Sequence, residues 1–258
     1  MQHIDDRVLL ASDNNGLWLS NQSLRQWTQI GGDLPGNKLN ALLVQEDMVF
    51  VSVYRKGIFV SSDKGENWRS LNADLPELKV QAILAIGDTI FAGTDQGIFY
   101  RQFEAKKWVS VVQGPQILSL QSWNGKILAG SSQGALLSGD NGLTWEWIHQ
   151  EGAIHYTEVI EGKIVLLYVH GDVFVSDDEG QSWTEAIYEP RKDSYSYDVV
   201  QQGAYMILSN NYGIHRSIDG GKNWALIYPT EKMAFFEFLK RGDLILGGTR
   251  HWDEFRGR

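Results

Sequence analysis

Short runs of apolar residues recur along the whole chain and are separated by turn-forming residues. Seven of these runs are closely alike, namely VLLAS, VFVSV, IFAGT, ILAGS, IVLLY, MILSN and ILGGT. Most of them follow another β-rich run, such as LNALLV, QAILAI, YTEVI or SYDVV. No amphipathic pattern with a period of 3.6 residues intervenes, so the pattern predicts short β-strands without helices between them. Each unit of the chain is expected to contain four strands joined by turns.

A repeated segment of the form Ser-x-Asp-x-Gly-x-x-Trp, here called the box, sets the period of the chain. Four intact boxes occupy residues 61–68, 138–145, 176–183 and 217–224. Two degraded copies keep the tryptophan, so that six tryptophans fall at positions 27, 68, 108, 145, 183 and 224, spaced by 41, 40, 37, 38 and 41 residues. A glycine precedes most boxes by four residues, at positions 16, 57, 97, 134 and 213. A period near 40 residues with four strands per unit is typical of a propeller blade.

The residue types of the box are those of a tight turn. An aspartate side chain accepts bonds from backbone N–H groups ahead of it, glycine permits a positive φ, and tryptophan covers the turn. A structural role is therefore expected for Asp63, Trp68, Asp140, Trp145, Asp178, Trp183, Asp219 and Trp224. The alternative is calcium binding by Asp178 and Glu179 or their equivalents. No box carries the full ladder of calcium ligands with its distal glutamate, so we expect no metal site there.

The box resembles the Asp-box (BNR) repeat of sialidases, sortilin-type receptors, xyloglucan-active glycosidases and photosystem II assembly factors, over nearly the whole chain. The resemblance implies an all-β fold, a single β-propeller domain of four-stranded antiparallel blades over residues 1–258. The photosystem II assembly-factor type is closest in format, being a single propeller without catalysis, and the Leu-Pro loops GDLPGNK and ADLPELK fit it. The chain lacks the Arg-Ile-Pro motif of sialidases, the second propeller of the xyloglucan enzymes and the cysteine-rich appendages of sortilin-type receptors.

The number of blades is predicted from the strands rather than from the boxes. Six box tryptophans indicate six blades. The run DLILGGT (243–249) matches DTIFAGT (88–94), however, and it is preceded by AFFEFL and followed by WDEFR. We therefore favour seven blades, the last of them incomplete, with six as the alternative.

Charge and composition restrict the partners. The net charge of −9 repels polyanions, so nucleic acid is not expected as a partner, and we interpret the acidity as solubility. No run approaches the roughly 18 apolar residues of a membrane helix, and no membrane insertion is expected. The acidic N-terminus does not resemble a signal peptide, which predicts a cytoplasmic protein as written, or an exported one if a leader was removed.

The loops on the side away from the boxes are the expected place for a ligand. The resemblance to Asp-box enzymes implies the same side, because their active sites lie there. Aromatic and cationic side chains in these loops are suited to grip a peptide or a sugar, although polar loops with tyrosines are also ordinary surface. The candidate ligand-binding residues are Arg55, Tyr168, His170, Arg191, Tyr197, Tyr212, Arg250 and Trp252.

Three acids form a second candidate site. Alignment of the units places Glu158, Asp198 and Glu237 in or near the innermost strand of three consecutive blades. A buried acid is costly unless it is hydrogen-bonded, paired or open to water. The three acids are thus candidates for a cation site, a basic ligand or acid–base catalysis, and the alternative is that they pair with cations such as Arg191, Lys232 or Arg241 or reach channel water.

Other chemical motifs are missing from the sequence. The six histidines show no metal-ligand spacing, and neither a phosphate-binding glycine loop nor a Gly-x-Ser-x-Gly elbow occurs, so we expect no metal and no cofactor. The leading hypothesis is a monomeric, non-catalytic binding or assembly module that recognises a protein or peptide at the loop-rich face. The competing hypothesis is a glycoside hydrolase or lectin that uses carboxylates and aromatics at the propeller mouth.

Overall fold

The computed structural model describes residues 1–12, 14–188, 194–230 and 233–251, and for residues 233–236 and 249–251 it describes the backbone alone. This part of the chain forms 27 strands and contains no helix. It accordingly offers no helix of the length and apolar character that a membrane crossing requires. The chain divides into two compact units, residues 1–131 with 137–146 and residues 132–136 with 147–258. A single domain over the whole chain stays a prediction.

Three four-stranded antiparallel sheets lie in the first unit, and the strands follow one another in chain order across each sheet. The first sheet contains β1 (Gln2–Ile4), β2 (Arg7–Ser12), β3 (Gly16–Ser20) and β4 (Trp27–Ile30). The second contains β5 (Leu39–Gln45), β6 (Met48–Val53), β7 (Gly57–Ser61) and β8 (Arg69–Ser70). The third contains β9 (Val80–Ile86), β10 (Thr89–Thr94), β11 (Gly97–Gln102) and β12 (Val109–Gln113). Two apolar clusters fill the spaces between neighbouring sheets, and they include Leu9, Leu17, Val51, Phe50, Ile58 and Ile90.

The fourth sheet has the same form and contains β13 (Ile117–Trp123), β14 (Lys126–Ser131), β15 (Gly134–Ser138) and β16 (Glu146–His149). A four-stranded and a five-stranded sheet follow in the second unit. One contains β17 (Ile154–Ile160), β18 (Lys163–Tyr168), β19 (Val173–Ser176) and β20 (Thr184–Glu185). The other contains β22 (Ser196–Gln202), β23 (Tyr205–Asn210), β24 (Gly213–Ser217) and β25 (Asn223–Pro229), with the short β21 (Ile187–Tyr188) parallel to β25. The last sheet pairs β26 (Met233–Arg241) with β27 (Leu244–His251).

These sheets are the blades of an all-β propeller, as the sequence predicts. Six blades are complete, which is the alternative count. In place of the favoured seventh blade, the described residues contain the two-stranded sheet of β26 and β27. The expected third strand of that blade, residues 252–256, lies outside the described part of the chain.

The glycine that precedes most boxes by four residues is required for a steric reason. Gly97 and Gly134 begin the third strand of their blades with φ values of 121° and 141°, a region that residues with a Cβ rarely adopt. A Cβ at Gly97 would overlap the carbonyl oxygen of Val112 in the next strand, and one at Gly134 would overlap that of His149. The glycine therefore allows the two outer strands of a blade to approach each other.

The intact boxes form turns in which the aspartate is fully bonded. In the first of them, Asp63 Oδ1 accepts from the Ser61 hydroxyl at 2.7 Å and from the Asn67 N–H at 2.9 Å, while Oδ2 accepts from the Asn67 amide at 2.7 Å. The Ser61 hydroxyl oxygen in turn accepts from the Gly65 N–H at 2.8 Å. These donors lower the pKa of Asp63 to about 2. The same pattern surrounds Asp140, Asp178 and Asp219, where Thr144, Ser182 and Asn223 take the place of Asn67.

The degraded boxes keep the turn with other side chains. In the first blade Leu24 stands at the glycine position and has a φ of 61°, and Asn21 Oδ1 accepts from the Arg25 and Gln26 N–H groups. In the third blade the buried Arg101 replaces the serine and donates to the carbonyl of Leu71 at 3.3 Å. Both turns therefore survive without the box aspartate.

A β-bulge recurs in the first strand of each of the second to sixth blades and in β26. The strand pairing skips one residue in each case, and the skipped residues are Asn40, Gln81, Leu118, His155, Tyr197 and Phe236. A bulge changes which side chains share a face of the strand. The residue after each bulge therefore marks equivalent positions in the blades.

Candidate functional site

A cavity of about 300 Å³ lies in the second unit against the first strands of three sheets, β17, β22 and β26. The lining residues include a tyrosine, two carboxyls, a phenylalanine and a lysine, namely Tyr156, Glu158, Asp198, Phe238 and Lys240. Tyr156 and Glu158 are two residues apart on β17, so their side chains leave the same face of the strand.

The phenol of Tyr156 connects the two carboxyls. It donates a hydrogen bond to Oε2 of Glu158 at 3.1 Å and also makes a hydrogen-bonding contact with Asp198. Burial raises the pKa of the phenol well above its usual range, and the charges of the two carboxyls act in the same direction. The phenol therefore stays protonated and has one proton for two acceptors.

The carboxyl of Glu158 has a pKa close to neutral pH. Burial raises its pKa to about 7, although the Val159 N–H donates to Oε1 at 3.0 Å and stabilises the charged form. The neighbouring Asp198 raises it further. A protonated Glu158 can donate to the phenol oxygen of Tyr156, which leaves the phenol proton for Asp198 and satisfies both contacts.

Asp198 connects two sheets of the second unit. Its side chain is 3% exposed, and burial raises the pKa of its carboxyl to about 6. Oδ1 accepts from the Val199 N–H at 2.7 Å, and Oδ2 accepts from the Phe238 N–H of β26 at 2.5 Å. These hydrogen bonds offset the cost of burying the carboxylate, and the one from Phe238 attaches β26 to β22.

The bulges correct the alignment of the three acids. Asp198 follows the bulge in β22 and Glu237 follows the bulge in β26, so these two positions are equivalent. The equivalent position in β17 belongs to Tyr156, and Glu158 lies two residues further along. Glu237 is partly buried and is not among the described residues that line the cavity. The cavity therefore contains two of the three predicted acids together with a tyrosine that the sequence comparison overlooked.

Glu158 and Asp198 belong to a hydrogen-bond network that joins neighbouring sheets. Both oxygens of Glu158 and both oxygens of Asp198 accept hydrogen bonds from the protein. Acid–base hydrolysis of a glycoside requires two carboxyls that face the substrate from opposite sides of the bond. In this cavity the carboxyls instead face a shared phenol and backbone N–H groups.

Arg55 lies in an exposed aromatic and cationic cluster of the first unit. The Tyr54 ring, 37% exposed, has Lys38 Nζ at 4.7 Å from its centroid and the guanidinium carbon of Arg55 at 5.2 Å. The Tyr54 N–H donates to the Lys38 carbonyl at 2.8 Å, which holds the two residues side by side. Arg55 itself has a φ of 57°, in the tight turn between β6 and β7. Neither Tyr54 nor Lys38 is among the candidate residues predicted from the sequence, although Tyr54 begins the loop that contains Arg55.

Tyr168 belongs to the interior of the second unit. It is 7% exposed and packs against His149 and Phe174, with ring centroids 5.8 and 5.1 Å away. Burial raises the pKa of its phenol above the usual range. Its hydroxyl is buried and has no hydrogen-bond partner among the described residues. Tyr168 is therefore a core residue in this structure and offers little surface to a ligand.

The remaining candidates of the loop-rich face differ in their surroundings. His170 is exposed, whereas Tyr197 is partly buried at the bulge of β22 and Tyr212 is partly buried beside Asn210. Arg250 lies in β27, and its side chain is outside the described part of the structure. Arg191 and Trp252, like Lys232, are outside the described residues altogether.

No group of three or more His, Cys, Asp or Glu side chains is placed to hold a metal ion in the described part of the chain. The box aspartates, which were the calcium alternative, accept hydrogen bonds from serine, threonine and asparagine donors of their own turns.

Comparison with solved structures gives matches over most of the chain. YCF48 bound to a D1 peptide superposes with a TM-score of 0.74 at 19% identity, over 95% of this chain and 88% of that one. The extracellular domain of BT4673 from B. thetaiotaomicron has a TM-score of 0.77 at 13% identity, over 95% of this chain and 36% of that one. An ancestral GH74 enzyme has a TM-score of 0.68 at 15% identity, over 88% of this chain and 37% of that one. The chain has the fold of a β-propeller.

Sequence comparisons reach less far. No family model matches the chain. The vacuolar protein sorting/targeting protein 10 of Ajellomyces capsulatus is 38% identical over 61 residues, which are 22% of this chain and 4% of that protein. The chain thus spans a small part of this curated relative and about a third of the BT4673 and GH74 structures. These three structural likenesses are below 25% identity and show the fold alone.

Proposed function

We propose that the chain is an Asp-box propeller that acts as a non-catalytic binding module for an extended segment of another protein. The likeness to YCF48 bound to a D1 peptide carries the proposal, because the match extends over 88% of that chain as well as 95% of this one. The GH74 enzyme is matched over 37% of its length, so most of that protein has no counterpart here.

The exposed cluster of Lys38, Tyr54 and Arg55 is the surface that we assign to this binding. Tyrosine and arginine are the residue types that contribute most to binding energy at protein interfaces. The two cations flank the Tyr54 ring before any partner arrives, so little side-chain order has to be created on binding. An extended segment with acidic or aromatic side chains matches these three groups.

The bonding of the cavity acids supports a non-catalytic role. Glu158 and Asp198 are occupied by Tyr156 and by backbone donors, and Asp198 attaches β26 to β22. A catalytic carboxyl has to be available to the substrate.

Binding is tested with an array of synthetic twelve-residue peptides, followed by fluorescence polarisation on the best binder. Arg55→Ala and Tyr54→Ala are each expected to weaken the affinity about tenfold, equivalent to about 1.4 kcal/mol. Arg25→Ala, an exposed arginine on the turn of the first degraded box, is the matched control and should leave the affinity unchanged. The proposal is contradicted if no peptide of the array binds, or if binding of the best peptide is unaffected by substitution of Tyr54 and of Arg55.

Carbohydrate binding or hydrolysis is the second candidate function. The observation that favours it is the pair of carboxyls with raised pKa values, about 7 for Glu158 and about 6 for Asp198, beside one cavity. A screen of glycans and chromogenic glycosides tests it, with Glu158→Gln as the inactive variant. Turnover by the wild type that Glu158→Gln abolishes would establish an enzyme in place of the binding module.

A further inference from the structure

The chain contains three Asn–Gly pairs, residues 15–16, 124–125 and 141–142. Asparagine before glycine is open to deamidation, because glycine has no side chain to hinder the approach of its own nitrogen. The Gly nitrogen gives its proton to base and attacks the Asn amide carbon. A C–N bond forms, the bond to the amide nitrogen breaks, and ammonia leaves a five-membered succinimide. Water then opens one of the two imide C–N bonds, which gives aspartate or isoaspartate.

Two of the pairs have a glycine nitrogen that is already engaged. The Gly16 N–H donates to the carbonyl of Asn37 at 2.8 Å, and Gly16 is buried. The Gly142 N–H donates to the Ser138 hydroxyl of its box at 2.8 Å, and the Phe91 ring packs against Gly142. In both pairs the attacking atom is fixed in a buried hydrogen bond, and local opening has to precede the reaction.

The pair at 124–125 has none of this protection. Asn124 and Gly125 are the two turn residues between β13 and β14, with φ values of 48° and 76°, and Trp123 pairs with Lys126 across the turn. Both turn residues are exposed, and no atom lies within 4 Å of the place where a Cβ on Gly125 would stand. The Gly125 N–H has no hydrogen-bond partner among the described residues.

We infer that Asn124 is a site of spontaneous deamidation in the folded protein, whereas the fold protects Asn15 and Asn141. The aspartate product adds a negative charge beside Lys126, whose Nζ lies 5.3 Å from the centroid of the Trp123 ring. The isoaspartate product adds one methylene to the backbone of a two-residue turn and disturbs the pairing of Trp123 with Lys126.

The test is peptide mapping by mass spectrometry, with a fragmentation method that separates aspartate from isoaspartate. The intact protein is incubated at about pH 8.5 and about 37 °C, where Asn124 should convert at least about tenfold faster than Asn15 or Asn141. In about 8 M urea the three rates should converge, because the protection of the other two pairs comes from the fold. Equal rates in the folded protein, or conversion of Asn15 or Asn141 ahead of Asn124, would overturn the inference.

Two variants separate local protection from sequence effects. Ser138→Ala removes the acceptor of the Gly142 N–H and should raise the rate at Asn141 while the rate at Asn124 stays the same. Asn124→Gln should abolish the early product of about +1 Da and the added negative charge that accompanies it. If Ser138→Ala disturbs the box turn, Asn124→Gln still decides the inference, because an unchanged yield of early product in that variant refutes the assignment.

Discussion

Asp198 is expected to hold the last described sheet, β26 and β27, against β22. Substitution by alanine removes the acceptor of the Phe238 N–H at 2.5 Å and of the Val199 N–H at 2.7 Å. A buried donor that loses its acceptor costs about 1–3 kcal/mol, so Asp198→Ala should lower the free energy of unfolding by about 2–5 kcal/mol. The stability of Asp198→Asn should fall between those of the wild type and Asp198→Ala. Its side-chain carbonyl accepts one of the two hydrogen bonds, while its amide N–H₂ faces the other backbone donor.

Urea denaturation followed by tryptophan fluorescence measures the loss of stability, and hydrogen exchange locates it. In Asp198→Ala the amides of residues 233–241 should exchange faster, while those of β9 and β10 in the first unit keep their rates. Asp243→Ala, an exposed aspartate in the turn between β26 and β27, is the matched control. A loss below about 0.5 kcal/mol with unchanged exchange in β26 would refute the reasoning, since such values are typical of substitutions on an open surface.

Three further predictions concern the same structure. Burial raises the pKa of folded Glu158 above its ordinary 4.5 to about 7, so the folded protein binds the extra proton. The wild type should therefore lose up to about 3 kcal/mol of stability relative to Glu158→Gln as the pH rises through that window, and a difference in urea midpoint that is constant with pH contradicts this. Leu24→Gly should raise the Tm, because it removes about 1 kcal/mol of strain at a φ of 61°; a lower Tm would show that the lost apolar contact is larger. Gly97→Ala should destabilise the protein by more than about 2 kcal/mol in urea denaturation, and more than Gly87→Ala, which has an open turn around it; equal losses would refute the steric explanation.

The blades could be predicted from the sequence because their signals are local. The box residues supply the hydrogen bonds of their own turn, and the glycine four residues earlier relieves an overlap with the next strand of the same blade. These interactions depend on short separations along the chain, so they leave a repeated pattern. The two-stranded sheet of β26 and β27 shows the limit, because a strand pattern such as DLILGGT predicts a strand and says nothing about whether its blade is complete.

The cavity could be predicted only in part. The comparison of YTE, SYD and FFE matched acid with acid, which places Glu158 beside Asp198 and Glu237. The bulges show that Tyr156 is the equivalent residue, and a bulge has no distinct sequence pattern here, since the skipped residues range from asparagine to phenylalanine. The contact between Tyr156 and Asp198 joins different blades and depends on this register.

The cluster at Tyr54 shows a different limit. Arg55 is predicted from the aromatic and cationic composition of the loops, but the position of Lys38 beside the Tyr54 ring follows from a backbone hydrogen bond between residues 16 positions apart. Tyr168, by contrast, is predicted from its place at the start of a loop and lies in the core, where its ring packs against His149 and Phe174. Side-chain direction at strand ends is set by pleat and bulge together.

Binding of an extended peptide at the Lys38, Tyr54 and Arg55 cluster is tested most directly by one titration of the best array peptide against three proteins. The proteins are the wild type, Arg55→Ala and Glu158→Gln. We expect Arg55→Ala to raise the Kd about tenfold and Glu158→Gln to leave it unchanged. A Kd that rises in Glu158→Gln and stays constant in Arg55→Ala would contradict the assignment and move the site to the cavity of the second unit.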